Sequence, residues 1–266
     1  MTLRFIDTHC HFDFPFFTDD LTRHKAAAAQ AGLTDIIIPA VSHWNLSTVA
    51  GLCRSSGDTC PRLHAAFGLH PLYIAEHTPE HLEQLELLIT GSGTECVAVG
   101  EIGLDRYMAE PQWDKQLDFF IAQLKLAART DKPVILHSRK THDTLAAVLR
   151  RHPVPRRGVV HGFSGSFSQA DAFVKLGYYI GVGGTITYDR AQKTRRAIAQ
   201  LPLSALLLET DAPDMPLSGF QGEPNRPERI VRTFEVLCSL RSESPEEIAA
   251  QIYRNSCTLF SLQSSD

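Results

Sequence analysis

The stretch Phe5-Ile6-Asp7-Thr8-His9-Cys10-His11-Phe12-Asp13 carries the pattern around which the rest of the chain is organised. Its apolar opening is typical of a short buried strand. Because side chains alternate along a strand, Asp7, His9 and His11 are expected to share one face. Two imidazoles on one face can hold a metal ion, and Asp7 can orient one of them from behind. An isolated His-x-His pair is more often two ordinary polar residues, so the later strands must decide.

Seven further apolar stretches are predicted to form buried strands. They do not alternate apolar with polar residues, which is typical of parallel strands covered on both faces. The stretches are residues 35–39, 63–68, 96–101, 133–137, 158–161, 178–182 and 206–211. Helical patterns separate them, at about 19–31, 44–56, 79–90, 113–130, 142–151, 168–176, 190–200, 227–240 and 245–260. The alternation predicts an α/β fold, a (β/α)8 TIM barrel over a single domain 1–266, with a doubly wound open sheet as the alternative.

Residues able to bind metal fall where the predicted strands end or just beyond. They are His9, His11, Glu101, His137, His161 and Asp211. A closed barrel brings the carboxyl ends of its strands into one ring, whereas an open sheet spreads them across its width. Four imidazoles and two carboxylates exceed what one tetrahedral ion needs, so two divalent metal ions are expected. Each residue alone has an ordinary structural explanation, and the joint placement favours a site.

Two nearby residues have less decided roles. Glu209 lies two positions before Asp211, so it faces the same way and one layer deeper. It either supports the site from behind or is a buried acid paired inside the barrel. Cys10 lies between His9 and His11, but strand alternation turns its thiol away from them.

Composition limits the function classes. Apolar residues make up 43% and charged residues 21% of the 266 residues, as in ordinary globular proteins. The net charge of -4 gives no long-range attraction for a polyanion. The six cysteines are scattered, which suits free thiols in the cytoplasm. We found no signal-peptide pattern and no apolar run of membrane-spanning length, so a cytoplasmic location without membrane contact is expected.

Six motifs together resemble the TatD family of metal-dependent hydrolases, which lies within the amidohydrolase-like barrels. They are Phe5-Ile6-Asp7-Thr8-His9-Cys10-His11, Gly68-Leu69-His70-Pro71, Gly100-Glu101-Ile102-Gly103-Leu104-Asp105, His137-Ser138-Arg139, His161-Gly162-Phe163 and Glu209-Thr210-Asp211-Ala212-Pro213. They run in the family's order over nearly the whole chain, and the sequence is most similar to the YjjV-type members of the family. The resemblance supports a barrel of the metal-dependent hydrolase type.

The resemblance also implies roles for individual residues. In the family pattern His9 and His11 bind one metal, His137 and His161 bind the other, Glu101 bridges them, and Asp211 binds the first metal beside the attacking water. His70 and Arg139 match positions that face the substrate. The implied activity is that of a cation-dependent phosphodiesterase, with 3′-to-5′ exodeoxyribonuclease activity in several members.

Three loop segments depart from the family pattern, and they lie in the loops that contact substrate and not among the metal ligands. Pro224 precedes Asn225-Arg226-Pro227 after the last strand. Arg106 stands before Tyr107 after the Leu-Asp pair, and Lys140-Thr141-His142 follows Arg139.

The chemistry can also be argued without the family. Two cations can lower the pKa of a shared water, and Asp211 is placed to accept its proton. Arg139 can bind two phosphate oxygens, and the alternative for this residue is a surface salt bridge. An imidazole-rich site suits Zn²⁺, Mn²⁺, Fe²⁺ or Co²⁺ better than Mg²⁺.

The expected partner is a DNA end or a small phosphodiester, with no obligate protein partner. Basic residues that follow strands can line the catalytic face. They are Arg106, Arg139, Lys140, Arg190, Lys193 and Arg226. A second cluster precedes the sixth strand and therefore lies on the opposite face: Arg150, Arg151, Arg156 and Arg157. The alternatives are hydrolysis of a small amide or ester and, with less support, a non-catalytic metal-binding or nucleic-acid-binding protein.

Overall fold

Eight parallel strands form one sheet in the computed structural model, which describes residues 3–57, 59–93 and 95–263. Their order in the sheet is their order in the chain. They are β1 (Phe5–Asp7), β2 (Leu33–Pro39), β3 (Arg62–Phe67), β4 (Cys96–Asp105), β5 (Val134–Arg139), β6 (Gly158–Val160), β7 (Tyr179–Val182) and β8 (Leu206–Leu208). The predicted barrel is confirmed.

The seam between β8 and β1 is bridged by backbone hydrogen bonds beyond the regular strands. The N–H of Thr8 donates to the carbonyl of Leu208 at 3.1 Å. Further along, Asp211 N–H donates to the carbonyl of His9 at 2.8 Å, and His11 N–H donates to the carbonyl of Ala212 at 2.7 Å. The sheet therefore forms a nearly closed barrel, and its seam joins the two segments that carry His9, His11 and Asp211.

Ten α-helices cover the outside of the barrel in the described part of the chain. They are α1 (Pro15–Thr18), α2 (Leu21–Gln30), α3 (Leu46–Ser56), α4 (Pro79–Gly91), α5 (Trp113–Arg129), α6 (His142–Arg151), α7 (Phe167–Lys175), α8 (Gln192–Gln200), α9 (Ile230–Ser239) and α10 (Pro245–Phe260). Short 3₁₀ turns lie at Pro71–Tyr73, Gly184–Thr187, Leu203–Ala205 and Pro227–Arg229. Local signals set several helix starts: at α10, for example, the Ser244 hydroxyl accepts from Glu247 N–H at 3.3 Å.

Alternation along the strands separates two apolar layers. One group of buried side chains fills the barrel interior, and the C-terminal end of α10 closes it from below. This group comprises Ile37, Ala66, Val97, Ala98, Ile135, Val159, Leu207, Leu259 and Phe260. Neighbouring strand residues such as Ile36, Ile38 and Leu136 point outward and pack in the larger core with residues of the helices. The next interior positions on β5, β6 and β8 are those of His137, His161 and Glu209, so alternation itself places polar residues above an apolar floor.

Three strand ends differ from the prediction. β4 continues to Asp105 because Ile102–Asp105 pair with Leu136–Arg139 of β5, so Glu101 lies within the strand and not at its end. β5 likewise extends beyond His137 to Arg139. β8 ends at Leu208, which leaves Glu209 and Asp211 on the segment that follows.

Four short elements were not predicted, among them the 3₁₀ turns Pro71–Tyr73 and Leu203–Ala205. The four-residue α1 and the 3₁₀ turn Gly184–Thr187 are too short to leave a periodic pattern. Across the described residues, no helix is long and apolar enough to cross a membrane.

Candidate metal centre

Glu101 lies at the middle of the site, and its two carboxylate oxygens face different groups of imidazoles. The side chain points inward because the register of β4 against β5 shifts between Val99 and Ile102, which changes the alternation of the strand. Gly68 makes room for this segment, since a Cβ there would lie 2.6 Å from the carbonyl oxygen of Glu101. Glu101 is buried, with only 2% of the residue exposed to solvent.

One half of the site contains His9, His11 and Asp211. The Nε2 of His9 lies 3.2 Å from Glu101 Oε2 and 3.4 Å from Asp211 Oδ1. The Nε2 of His11 lies 3.8 Å and 3.7 Å from the same two oxygens. Two imidazoles and two carboxylate oxygens thus converge on one small volume.

The other half surrounds Glu101 Oε1. His161 Nε2 lies 2.6 Å from this oxygen, and His137 Nδ1 lies 3.1 Å from it. His70 Nε2 is 3.0 Å away. The structure therefore brings together all six residues predicted as metal ligands, and it places His70 beside them.

The hydrogen bonds of His70 fix its tautomer. Leu72 N–H donates to His70 Nδ1 at 3.0 Å, so this nitrogen carries a lone pair. In the neutral ring the proton is then on Nε2, which donates to Glu101. His70 acts here as a hydrogen-bond donor at the edge of the site.

Two carboxylates lie behind ligand residues, and of the two Asp105 is the one within hydrogen-bond distance of a ring. Asp105 Oδ2 lies 3.0 Å from His137 Nε2, which leaves His137 Nδ1 directed at Glu101. Glu209 Oε1 lies 3.8 Å from His161 Nδ1 and accepts a hydrogen bond from the N–H of Gly162. A carboxylate behind an imidazole holds the ring and raises its basicity as a ligand.

Asp7 acts on the backbone and not on a ring, which corrects the expectation that it orients an imidazole. Its Oδ1 accepts from His9 N–H at 3.2 Å and from Thr210 N–H at 3.0 Å. Its Oδ2 accepts from the Thr210 hydroxyl at 2.6 Å. Asp7 thus ties the segment after β1 to the segment after β8.

Burial and neighbouring charges shift the pKa values of the centre. Burial opposes ionisation of Glu101, but His161, His70 and His9 outweigh it and hold the pKa of Glu101 well below its ordinary value. For His161 burial is likewise outweighed by Glu101, which raises the pKa of the imidazole to about 10. Burial raises the pKa of Asp211 to about 6, near the range that suits a general base at neutral pH.

A pocket of about 610 Å³ opens from this centre to solvent. Its floor carries His11, Glu101 and Asp211, and its rim includes Arg139 and Lys140. Both cations lie over the ring of Tyr107, with Arg139 Cζ at 3.8 Å and Lys140 Nζ at 4.5 Å from the ring centre. The pocket therefore has an anionic, metal-binding floor and a cationic rim.

The donor set fits divalent transition metals. His9, His11 and Asp211 form one group with ligand atoms within 4.8 Å of one another, and His9, Glu101 and His161 form another. Among the described residues, the buried Nε2 of His9 has no hydrogen-bond partner, although two carboxylate oxygens are near. Imidazole and carboxylate donors in a buried site suit Zn²⁺, Mn²⁺, Fe²⁺ and Co²⁺.

Asp105 and Tyr107 also contribute to the site and were not predicted from the sequence. Asp105 ends β4 on the same face as Glu101, and that shared face was the available signal. Tyr107 follows two residues later, and only the structure shows that Arg139 stacks on it.

Comparison with known proteins agrees with this geometry. The family model described as TatD related DNase matches residues 6–261. The metal-dependent hydrolase YjjV of Escherichia coli (strain K12) is 56% identical over 98% of this chain and 100% of its own length. A metal-dependent hydrolase of Haemophilus influenzae (strain ATCC 51907 / DSM 11121 / KW20 / Rd) is 48% identical over 97% and 100%.

Solved structures show the same fold. The crystal structure of the TatD homologue YjjV from Escherichia coli matches with a TM-score of 0.95 at 56% identity, covering 99% of this chain and 100% of that one. A TatD family hydrolase from Entamoeba histolytica matches with a TM-score of 0.86 at 21% identity, covering 98% and 99%, which supports the fold alone. The barrel and its buried centre define a metal-dependent hydrolase. The chain belongs to the TatD family.

Proposed function

We propose that this protein hydrolyses phosphodiester bonds with two divalent metal ions and acts on the end of a nucleic-acid strand or on a small phosphodiester. The observation that carries the proposal is the position of Glu101 between two groups of ligands. Oε2 faces His9 and His11, and Oε1 faces His137 and His161. When bound, two such cations lower the pKa of a water and polarise a phosphoryl oxygen.

The protein's own groups have separate tasks in this reaction. Asp211, partly exposed to the pocket, accepts the proton of the attacking water. His70 donates its Nε2 proton to Glu101 and lines the pocket, where its ring can contact the substrate. Arg139 and Lys140 are exposed cations on the rim that can bind non-reacting phosphate oxygens.

The shape of the pocket favours a strand end. Its floor lies inside the mouth of the barrel, below the loops, and a rigid duplex cannot descend into a cavity of about 610 Å³. Tyr73 also lines the pocket, and Trp44 packs edge-to-face on it at 5.7 Å with 48% of its surface exposed. Aromatic rings of this kind give stacking surfaces to unpaired bases. The name of the family model, TatD related DNase, supports the same substrate class.

The experiment compares an end-labelled single strand with a covalently closed circle. Dialysed protein is reconstituted with Mn²⁺, Zn²⁺, Co²⁺ or Mg²⁺, and phosphomonoester and amide substrates are assayed in parallel. We expect stepwise shortening of the linear strand and no cleavage of the circle. Rapid nicking of the circle would refute end-directed cleavage, and hydrolysis of the amide alone would refute phosphodiester chemistry altogether.

A further inference from the structure

A second group of histidines lies outside the metal centre, on the loops that follow β2 and β3. It consists of His43 after β2, His77 after β3, and His81 in the first turn of α4. One nitrogen of each ring lies within 4.8 Å of a nitrogen of each of the others. We propose that His43, His77 and His81 bind one divalent transition-metal ion, separate from the ions around Glu101. We call this group the loop histidine site.

His77 is already arranged as a metal ligand. The residue is 1% exposed, and its Nε2 donates to the carbonyl oxygen of His70 at 3.0 Å. A carbonyl can only accept, so Nε2 carries the proton and Nδ1 presents a lone pair. Within the described residues, this buried Nδ1 has no hydrogen-bond partner. Histidines that bind metal through one nitrogen typically donate from the other to a carbonyl or carboxylate.

The protonation of His77 agrees with this role. Burial lowers the pKa of His77 to about 4, so the ring is neutral near pH 7. A neutral imidazole needs no deprotonation before it binds a cation.

His43 and His81 complete the site from the solvent side. Their rings stack with centroids 3.8 Å apart and an angle of 13° between their planes. Both side chains are only partly buried, which gives an ion access from solvent. Because lone pairs lie in the plane of an imidazole, the two stacked rings must tilt apart before both nitrogens can point at one ion.

To bind the ion through Nδ1, His81 must also give up a hydrogen bond within its own segment. Its Nδ1 accepts from the N–H of Thr78 at 3.2 Å, a hydrogen bond at the start of α4. The exchange replaces one long hydrogen bond on the partly exposed surface with a coordinate bond.

The chemistry of the donors selects the class of ion. The loop histidine site consists of imidazole nitrogens alone, which favours Zn²⁺, Cu²⁺, Ni²⁺ or Co²⁺ over Mg²⁺ and Ca²⁺. Three protein ligands leave a fourth position for water. A bound ion would connect the loop after β2 to the loop after β3, which also carries His70.

The test measures metal stoichiometry in wild-type protein and in His81→Gln. Glutamine is a common residue at the third position of a helix and can keep the capping contact with Thr78, but it is a poor ligand for Zn²⁺. In titrations of chelated, dialysed protein with Zn²⁺, we expect wild type to bind one more equivalent than His81→Gln. The apparent Kd of that equivalent should rise roughly 100-fold or more in the variant. Metal-dependent hydrolysis should be unchanged.

Two further variants keep the result interpretable. His152→Ala removes a partly exposed histidine at the end of α6 and should bind as much Zn²⁺ as wild type. Glu101→Ala, which should lose the ions of the central site, should still bind one equivalent, and adding His81→Gln should abolish it. Equal stoichiometry and affinity in wild type and His81→Gln would overturn the proposal, whatever the hydrolase assay shows.

Discussion

Glu101 is the residue through which the two halves of the centre are connected. Oε1 lies 2.6 Å from His161 Nε2, while Oε2 lies 3.2 Å from His9 Nε2. We therefore expect Glu101→Ala to lose both central ions together with activity, because a bridging carboxylate supports both. Elemental analysis after dialysis measures the loss. Retention of both ions in Glu101→Ala would contradict the bridging role.

Asp211 should separate proton transfer from metal binding. Its φ of 57° is in the left-handed region, which asparagine also adopts readily, so Asp211→Asn should fold normally. The amide keeps one oxygen for metal but cannot accept the proton, so we expect turnover to fall by about 10²–10⁴-fold. The same dialysis experiment should find more metal in this variant than in Glu101→Ala. Full turnover in Asp211→Asn would exclude it as the base.

Asp105 is expected to control the affinity of the His137 half of the centre. Its Oδ2 lies 3.0 Å from His137 Nε2, and its Oδ1 accepts from Tyr107 N–H at 2.6 Å. Asp105→Asn removes the charge behind the imidazole. It should lower the affinity for one of the two proposed central ions by about 10–100-fold. Isothermal titration with Zn²⁺ in the His81→Gln background, which lacks the loop histidine site, gives the two central affinities. Asp143→Asn, an exposed acid in the first turn of α6, is the control and should leave both unchanged.

The pattern of apolar runs along the chain was enough to predict the barrel. Parallel strands covered on both faces have continuous apolar sequences, and each is followed here by a helical pattern. The same alternation placed His137 and His161 inside the barrel mouth, two positions beyond the interior residues Ile135 and Val159. These placements depend on local periodicity, which a single sequence contains.

What the sequence did not predict depends on contacts between distant segments. The register shift in β4 that turns Glu101 inward arises from pairing with β5. Asp7 was expected behind an imidazole, but the distant Thr210 takes part of its hydrogen bonding. The loop histidine site brings together His43, from the loop after β2, and His81, from the first turn of α4, which lie far apart in the sequence. Contacts of this kind are fixed by the folded chain and not by local propensity.

An ion cluster joins β2 and β3 near the bottom of the barrel and should contribute stability that depends on pH. Asp35 is fully buried and accepts hydrogen bonds from Arg62 Nε at 2.8 Å and from His64 Nε2 at 2.7 Å. Burial opposes ionisation of Asp35, but the hydrogen bonds of His64 and Arg62 outweigh it and lower its pKa. A lowered folded-state pKa means that the stabilisation is complete above the unfolded value, about 3.9, and is lost as the pH falls through the folded value.

We therefore expect Asp35→Asn to lower the free energy of unfolding by about 2–3 kcal/mol at pH 7. The difference from wild type should shrink below about pH 4, where wild type loses the same charge. Urea unfolding at pH 7 and at low pH measures both values. Asp131→Asn is the control, since Asp131 is 71% exposed and lies 3.7 Å from Arg156, so it should change stability by less than about 0.5 kcal/mol. An effect of Asp35→Asn that did not depend on pH would contradict this account.

The charge of the whole molecule limits how it can bind a polyanion. The net charge is -4, and part of the positive charge lies away from the metal centre, where Arg150 and Arg151 end α6. Near the pocket, Arg139 and Lys140 are the rim cations that can reach phosphates. Binding of a single strand should therefore neutralise about two or three phosphates, so log Kd should change with log salt concentration by a slope of magnitude about 2. A magnitude above about 5 would show a much wider contact than the pocket provides.

Arg139→Ala tests whether the phosphates are bound locally, at the rim of the pocket. Arg139 is exposed and stacks on Tyr107, so its removal should leave the fold and the bound metal unchanged. Losing a charged hydrogen-bond donor to phosphate should raise KM for a phosphodiester about 10-fold or more and reduce the salt slope by about 1. Arg150→Ala removes the same charge from the opposite face and serves as the matched control. If both variants weakened binding equally, attraction by the general field of the protein would explain the affinity. A change in Arg139→Ala alone requires a phosphate held at the rim of the pocket.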